Sequence, residues 1–324
     1  MISIIVPVYN LENYVARTLD SLLGQTFKDI EIIVVNDGSN DRSGELIDEY
    51  AKKFPDKIKP VHLDNGGVTR ARLAGIQQSS GEWIGFVDGD DYVEEYMYKH
   101  LYENAMKYDA DISHCGYQME FSDGEEKYFY NSKKIIVQDR NDGIKDLLEG
   151  TIVEPGLWNK LFKRELLIEL IERNLMDLDI NFNEDLLMNY YLFSLASRAV
   201  FEDICPYHYL VRGTSASHQT INKKMVYDML SVRKIIIANA DPDLKIYAKN
   251  AYYNIVIDLF SSLLCAGYGY YEELPQELRN ILMNEKSFAY LNNRKKILYF
   301  LIRFFPAFYN KAYRVYEKLS TKKY

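Results

Sequence analysis

The chain has 324 residues, 48% of them hydrophobic, 14% aromatic and 27% charged, which excludes a disordered polymer and allows one large core or two modest ones. A formal charge of -8 argues against general affinity for nucleic acid. The charge is uneven: residues 291–324 carry nine Lys and Arg against one acid, Glu317, a net +8, so residues 1–290 carry -16.

Ile2–Val8 is a continuous apolar run, which predicts a buried strand; it lacks the basic start and small-residue cleavage site of a secretory leader. Residues 11–24 place Leu11, Val15, Leu19, Leu22 and Leu23 at helical spacing. Ile30–Val35 predicts a second strand, residues 41–53 a helix with Ile47 and Tyr50 inward, and Ile58–Leu63 a third strand. Val68–Gln78 follows as a helix and Trp83–Val87 as a fourth strand. Strands alternating with helices imply right-handed βαβ units and a parallel sheet, with ligands at the carboxyl ends of the strands. Residues 110–120 and 127–137 are strand-like. Long helical patterns run from residue 222, with breaks near Asp241-Pro242, Gly267–Gly269 and Pro306. No stretch reaches the roughly 18 uncharged apolar residues of a membrane span. Three scattered cysteines, Cys115, Cys205 and Cys265, form no disulfide framework or metal motif, which points to a reducing cytoplasm.

All four strands deliver polar residues or glycine to one rim. Strand one ends in Pro7-Val8-Tyr9-Asn10, followed by Glu12; strand two ends in Asn36-Asp37-Gly38-Ser39. After strand three come Asn65-Gly66-Gly67, then Arg70 and Arg72; strand four runs into Asp88-Gly89-Asp90-Asp91. In an extended segment Asp88 and Asp90 project together, and Gly89 leaves room for a ligand to approach the backbone. Clustered carboxylates call for a hard cation, Mn²⁺ or Mg²⁺, shared with a diphosphate; an acidic turn in solvent is the plainer alternative. Asp37 reads either as a turn residue or as an acceptor for a base or ribose. Asn65-Gly66-Gly67 reads as a turn, or with Arg70 and Arg72 on the next helix as amides and a guanidinium presented to a phosphate. The glycines fit neither G-x-G-x-x-G nor a P-loop. In Asn183-Glu184-Asp185 the Asn reads as a helix cap with acids in the first turn, and Asp185 alternatively as a general base. Residues 207–218 read as a surface loop, or as a lid placing Arg212 and His218 on a diphosphate.

These residues resemble the inverting family 2 glycosyltransferases of GT-A fold, of the bacterial polysaccharide-assembly kind. The likeness runs through Ser3-Ile4-Ile5-Val6-Pro7-Val8-Tyr9-Asn10-x-Glu12, Val35-Asn36-Asp37-Gly38-Ser39-x-Asp41, Asn65-Gly66-Gly67-Val68-Thr69-x-Ala71-Arg72 and Gly81-Glu82-Trp83-Ile84-x-Phe86-Val87-Asp88-Gly89-Asp90-Asp91. Trp158-Asn159-Lys160-Leu161-Phe162, Glu184-Asp185 and Tyr209-x-x-Arg212-x-x-Ser215-x-Ser217 resemble the acceptor side. One position departs: Leu73 stands where many relatives carry Asn.

The resemblance implies an α/β, Rossmann-like nucleotide-binding domain with a mostly parallel central sheet over residues 1–220, its donor half 1–110 and acceptor-side half 111–220, followed by a helical region over 221–324. It implies a UDP-sugar donor and a glycan or polyprenol-linked saccharide acceptor. Pro7, Tyr9, Glu12 and Asp37 would line the nucleoside pocket, with Asp37 on the uracil and Arg72 on the nucleotide. Asp88 and Asp90 would form the DxD pair, Asp90 the direct ligand of Mn²⁺ or Mg²⁺, with Asp91 at the donor sugar. Asp185 would be the catalytic base, and Arg212 and His218 lid residues.

A sugar nucleotidyltransferase shares such a sheet, but it needs a Gly-rich, Arg-containing loop where this chain has Tyr9-Asn10-Leu11-Glu12. A degenerate membrane scaffold would not need Asp37, Asp88, Asp90 and Asp185. Residues 294–319 interleave basic side chains with Ile297, Leu298, Phe300, Leu301, Phe304, Phe305, Phe308, Tyr309 and Tyr313. That pattern suits a helix at the cytoplasmic face of the plasma membrane, or alternatively one packed on the body or on a second copy in a homodimer.

Overall fold

The computed structural model describes the chain except residues 122–123, 130, 212–220, 271, 285–286, 306–307 and 310–324. Two compact units emerge, Met1–His218 and Gln219–Tyr324.

The first unit begins with β1 (Ile2–Val8), α1 (Val15–Leu23), β2 (Ile30–Asp37), α2 (Ser43–Lys53), β3 (Ile58–Leu63), α3 (Val68–Gln78) and β4 (Trp83–Phe86). Every residue of β1 is buried, because helices cover both faces of a parallel sheet and leave no solvent side on which to alternate. β2 and β4 flank β1, and β3 lies beyond β2, all parallel. α1 starts four residues after the predicted helix: the Leu11 carbonyl accepts from the Tyr14 and Val15 amides and closes a turn first. α2 starts at Ser43 because Asp41 Oδ1 accepts from the Ser43 amide at 2.9 Å, an Asx-type turn ahead of the helix.

The chain continues through β5 (Tyr92–Val93), α4 (Met97–Tyr108), β6 (Ile112–Glu120), β7 (Glu126–Phe129) and β8 (Ile135–Asp139). Then come α5 (Arg140–Glu149), β9 (Lys160–Lys163), α6 (Arg164–Glu172), α7 (Glu184–Leu195) and β10 (Arg198–Leu210). The fold is α/β. Its sheet order is β3-β2-β1-β4-β9-β6-β10-β5, with β7 on β6 and β8 on β10. The β3-to-β4 half is parallel; β9 then enters antiparallel to both β4 and β6, and β10 runs parallel to β6. The strand predicted over 127–137 is two strands. Asn131 and Lys133 adopt positive φ between them, and Asp203 holds the Asn131 and Ser132 amides at 2.7 Å each.

The second unit is helical: α8 (Lys223–Asn239), α9 (Lys245–Cys265), α10 (Glu273–Met283) and α11 (Asn293–Phe304). Its core includes Val256, Phe260, Leu263, Leu278 and Ile302. Among the described residues no helix is long and apolar enough to cross a membrane. The three cysteines are free thiols.

Candidate active site

Val87 still donates to the Ile5 carbonyl at 3.0 Å, but the chain then turns, with the Asp91 amide on the Asp88 carbonyl at 3.0 Å. Asp88–Asp91 is therefore a tight turn, and the expectation that an extended segment aims Asp88 and Asp90 to one side is corrected. Gly89 is also explained differently. A Cβ there would lie 2.9 Å from the Pro7 carbonyl oxygen and 3.0 Å from both Leu11 and Val8 side chains. The glycine thus serves close packing of the turn against the end of β1, rather than access for a ligand.

Asp88 and Asp90 remain partly exposed, while Asp91 is buried. Tyr207 of β10 donates its hydroxyl to Asp91 Oδ2 at 2.6 Å, and the Leu210 amide donates to Oδ1 at 2.8 Å. Burial, reinforced by the neighbouring Asp90 and Asp88 charges, pushes the Asp91 carboxyl well above the usual carboxylate range. Arg17 steadies the same turn, donating to the Asp90 carbonyl at 3.2 Å with its guanidinium over the Tyr92 ring.

Arg72 sits on α3, 6% exposed, and joins two separate elements. One guanidinium nitrogen lies 3.2 Å from Asp88 Oδ1 and the other 3.2 Å from Glu184 Oε1 at the start of α7. Its Nε is buried with no partner among the described residues. Glu184 is nearly buried, and that burial, together with the Asp185 charge, raises its carboxyl to about 7 although Arg72 opposes the shift. Asp185 is half-buried and accepts from the Leu186 amide at 2.7 Å. Burial raises its carboxyl too, against Arg72 and that amide, with Asp88 adding to the rise. The expected Asn183 cap is absent: Asn183 takes a left-handed backbone, φ 63°, and its side chain makes no capping hydrogen bond.

The loops after β1, β2 and β3 are laced together. Both Asp37 oxygens accept amides of the β3 loop, Gly66 at 2.9 Å and Gly67 at 2.8 Å. Each oxygen keeps a second lone pair for a ligand. Glu12 Oε2 accepts from the Arg42 amide at 3.0 Å, and the Glu12 amide donates in turn to Asp41 Oδ2 at 3.0 Å. Pro7 is buried, while Tyr9 is 47% exposed at the mouth of β1. Gly38 has φ +70° with the Asn65 amide only 2.6 Å from where a Cβ would stand, so this crossing of loops requires glycine.

Residues 3–171 match the model of Glycosyl transferase family 2. The chain belongs to this family. It is 39% identical over 208 residues to the uncharacterized glycosyltransferase EpsJ of Bacillus subtilis, covering 63% of this chain and 59% of that protein. It is 31% identical over 242 residues to glycosyltransferase GlyG of Streptococcus pneumoniae, covering 72% and 78%. The chain spans only 59% of EpsJ and 35% of the pneumococcal glycosyltransferase GlyA. In fold it resembles S. aureus TarS residues 1–349, crystallised with UDP-GlcNAc, with a TM-score of 0.71 at 20% identity over 99% of this chain and 92% of that one. That likeness establishes the GT-A architecture.

The matched residues 3–171 include the rim loops that follow β1 to β4. The structure brings Asp88, Arg72, Glu184 and Asp185 into one electrostatic group, and ties Asp91 to β10. Arg212 and His218 lie outside the described residues. Tyr207 to Leu210, read from sequence as the start of a loop, form the last residues of β10.

Sequence reading puts Glu184 and Lys160 in acceptor-side motifs but does not reach their partners. Tyr207 and Glu184 reach partners more than a hundred residues away, without any local signal. Lys160 is 0% exposed, and its ammonium donates to the Glu154 carbonyl at 2.8 Å, the Gly156 carbonyl at 2.6 Å and Asn159 Oδ1 at 2.7 Å. Asn189 of α7 donates to the Pro155 and Gly156 carbonyls. The 154–156 loop is thereby pinned between β9 and the helix that carries Asp185. Trp158, next along, stacks on Tyr207 with centroids 4.4 Å apart.

Burial lowers the Lys160 ammonium to about 7. Lys160→Met takes the ammonium from the Glu154 carbonyl and Asn159 Oδ1, while Gly156 keeps Asn189, and is expected to cost about 2–3 kcal/mol, read from the urea midpoint. Because the folded-state value lies below the unfolded 10.5, the native form binds fewer protons across that window. Native stability should therefore rise with pH from about 7 upward, and the Met variant should lack that rise. An equal slope in both proteins would contradict this account.

Proposed function

We propose that this transferase moves a hexose or N-acetylhexosamine from a UDP-sugar to a hydroxyl of a glycan or polyprenol-linked saccharide, with inversion, at the cytoplasmic face. The observation that carries the reading is Arg72, which links the Asp88 turn at the donor end to Glu184 beside Asp185. Donor and acceptor chemistry then share one charged network. The binding of UDP-GlcNAc by TarS supports a nucleotide-sugar donor. The first unit would hold catalysis, and residues 221–324 would not.

In this reading Pro7, Tyr9, Glu12 and Asp37 frame the nucleoside, and Arg72 turns part of its fork to the diphosphate. Asp91, fixed by Tyr207, orients the donor sugar. Asp185 takes the proton of the acceptor hydroxyl as that oxygen attacks the anomeric carbon. The bond to the nucleoside diphosphate breaks on the opposite face, and the charge left there meets preorganised cations. Arg212 and His218 would add to them from the segment outside the described residues.

The donor set fits a divalent ion that is shared with the nucleotide. Among the described residues no group of three His, Cys, Asp or Glu is disposed to hold a metal alone. Two partly exposed carboxylates, Asp88 and Asp90, next to the crowded Asp91 match an ion of the Mg²⁺ or Mn²⁺ type, which takes one or two carboxylates and fills its shell with phosphate oxygens and water. Asp90 would be the direct ligand, and Asp88 would be shared between the ion and Arg72. When bound, the ion supplies Lewis-acid stabilisation of the leaving diphosphate.

The test is UDP release from a panel of nucleotide sugars with Mn²⁺, repeated in excess EDTA. UDP release from a UDP-sugar that EDTA abolishes is the expected outcome. Undiminished UDP affinity in EDTA would remove the metal, and pyrophosphate formation from UTP would indicate nucleotidyl transfer instead.

A further inference from the structure

We propose that α11 docks the protein on an anionic lipid surface through the stripe of Ile297, Phe300 and Phe304, continued by Phe305 and Phe308. The inward side of the helix is already occupied. Tyr299 and Ile302 are buried in the core of the second unit, and Lys295 reaches Asp258 at 2.5 Å and the Asn254 carbonyl at 3.0 Å. At about 100° per residue these three side chains share one face. Ile297, Phe300 and Phe304 fall within about 60° of one another on the opposite face.

Among the described residues that outer face is open. Ile297 is 64% exposed, Phe300 51%, Phe304 55%, Phe305 53% and Phe308 63%. The Phe300 ring lies 4.8 Å from Phe304 and 5.9 Å from Phe305, so the exposed rings form one patch rather than scattered side chains. A patch of this kind on a monomer marks a contact surface.

Charge selects the occupant. Lys296 and Arg303 line one edge of the stripe and Arg294 the other, by the same angular count. From residue 286 to residue 316 the sequence contains no Asp or Glu, whereas residues 1–290 carry -16. A symmetric contact with a second copy would set this cationic edge against itself. An anionic bilayer instead takes the rings into its headgroup boundary and pairs the three cations with phosphate, as interfacial helices do. The inference stands apart from the catalytic reading, because no residue in it belongs to the proposed site.

The experiment is co-sedimentation of the full chain with phosphatidylcholine vesicles, with and without phosphatidylglycerol. The parent should partition onto the anionic vesicles and release in high salt. Phe300→Ser with Phe304→Ser should weaken that partition at least about tenfold while leaving UDP release intact. Lys296→Gln with Arg303→Gln should weaken it and blunt the salt dependence. Equal pelleting of parent and Ser variant would overturn the proposal. So would equal binding to neutral vesicles, or a dimer in light scattering that the Ser variant abolishes, which would assign the face to a second copy.

Discussion

Asp185→Asn is expected to lower the rate of sugar transfer by about 10²–10⁴-fold while changing UDP affinity little. The expectation follows from where the carboxylate sits. Asp185 lies in the first turn of α7, and one of its oxygens accepts from the Leu186 amide. An Asn carbonyl can take the same bond, so the helix start survives and only basicity is lost. Burial and Asp88 raise the Asp185 carboxyl above its ordinary value, and a raised carboxylate is a stronger base near neutral pH. Only the ionised form can accept the proton. The parent rate should therefore climb with pH through that raised value and then level off. The variant's residual rate should lack this limb. Two results would remove Asp185 from the role: comparable turnover of variant and parent, or an identical acidic limb in both.

Much of the fold was legible, and the reason is physical. β1 and β2 are covered on both faces, so a continuous apolar run is their only workable pattern. The rim residues could be assigned to strand ends because ligands of such sheets gather there. What was illegible depends on partners distant in sequence. Asp88–Asp91 looks extended when read alone, but it turns because Gly89 must fit under the Pro7 carbonyl. The 127–137 segment carries strand residues throughout, yet Asp203 from β10 pulls its middle out of line. Asp37 looked available for a base, while the structure shows both oxygens holding the β3 loop, so it clamps the loops whatever else it binds. Lys160 reads from sequence only as part of the motif Trp158–Phe162, and nothing local in the sequence tells that its ammonium is fully buried. A residue's type announces what it can do; its depth and its partners decide whether it does so.

Arg72→Met should be the most damaging single change to stability, at about 3–5 kcal/mol, read as a fall in urea midpoint at constant slope. The guanidinium is the cation set directly between Asp88 and Glu184 and acts on Asp185 as well. Removing it leaves carboxylates packed together, the Asp88 side chain 28% exposed and that of Glu184 only 12%. Arg72→Lys should fall between the two, since an ammonium keeps the charge but cannot span both acids as a fork. The loss should depend on pH in a defined direction. Glu184 already titrates at about 7 in the folded state against 4.5 unfolded, so the native form binds its proton more readily. That contribution is full below pH 4.5 and is lost as pH rises through about 7. Without Arg72 the force opposing this shift is gone, so Glu184 should stay protonated to higher pH. A neutral Glu184 needs no counter-ion. The Met variant should therefore approach the parent's stability near about pH 5 and fall furthest below it near about pH 8. A loss of the same size at both would mean that Arg72 acts through packing alone, and that the acids around it do not form the charged network on which the proposed chemistry depends.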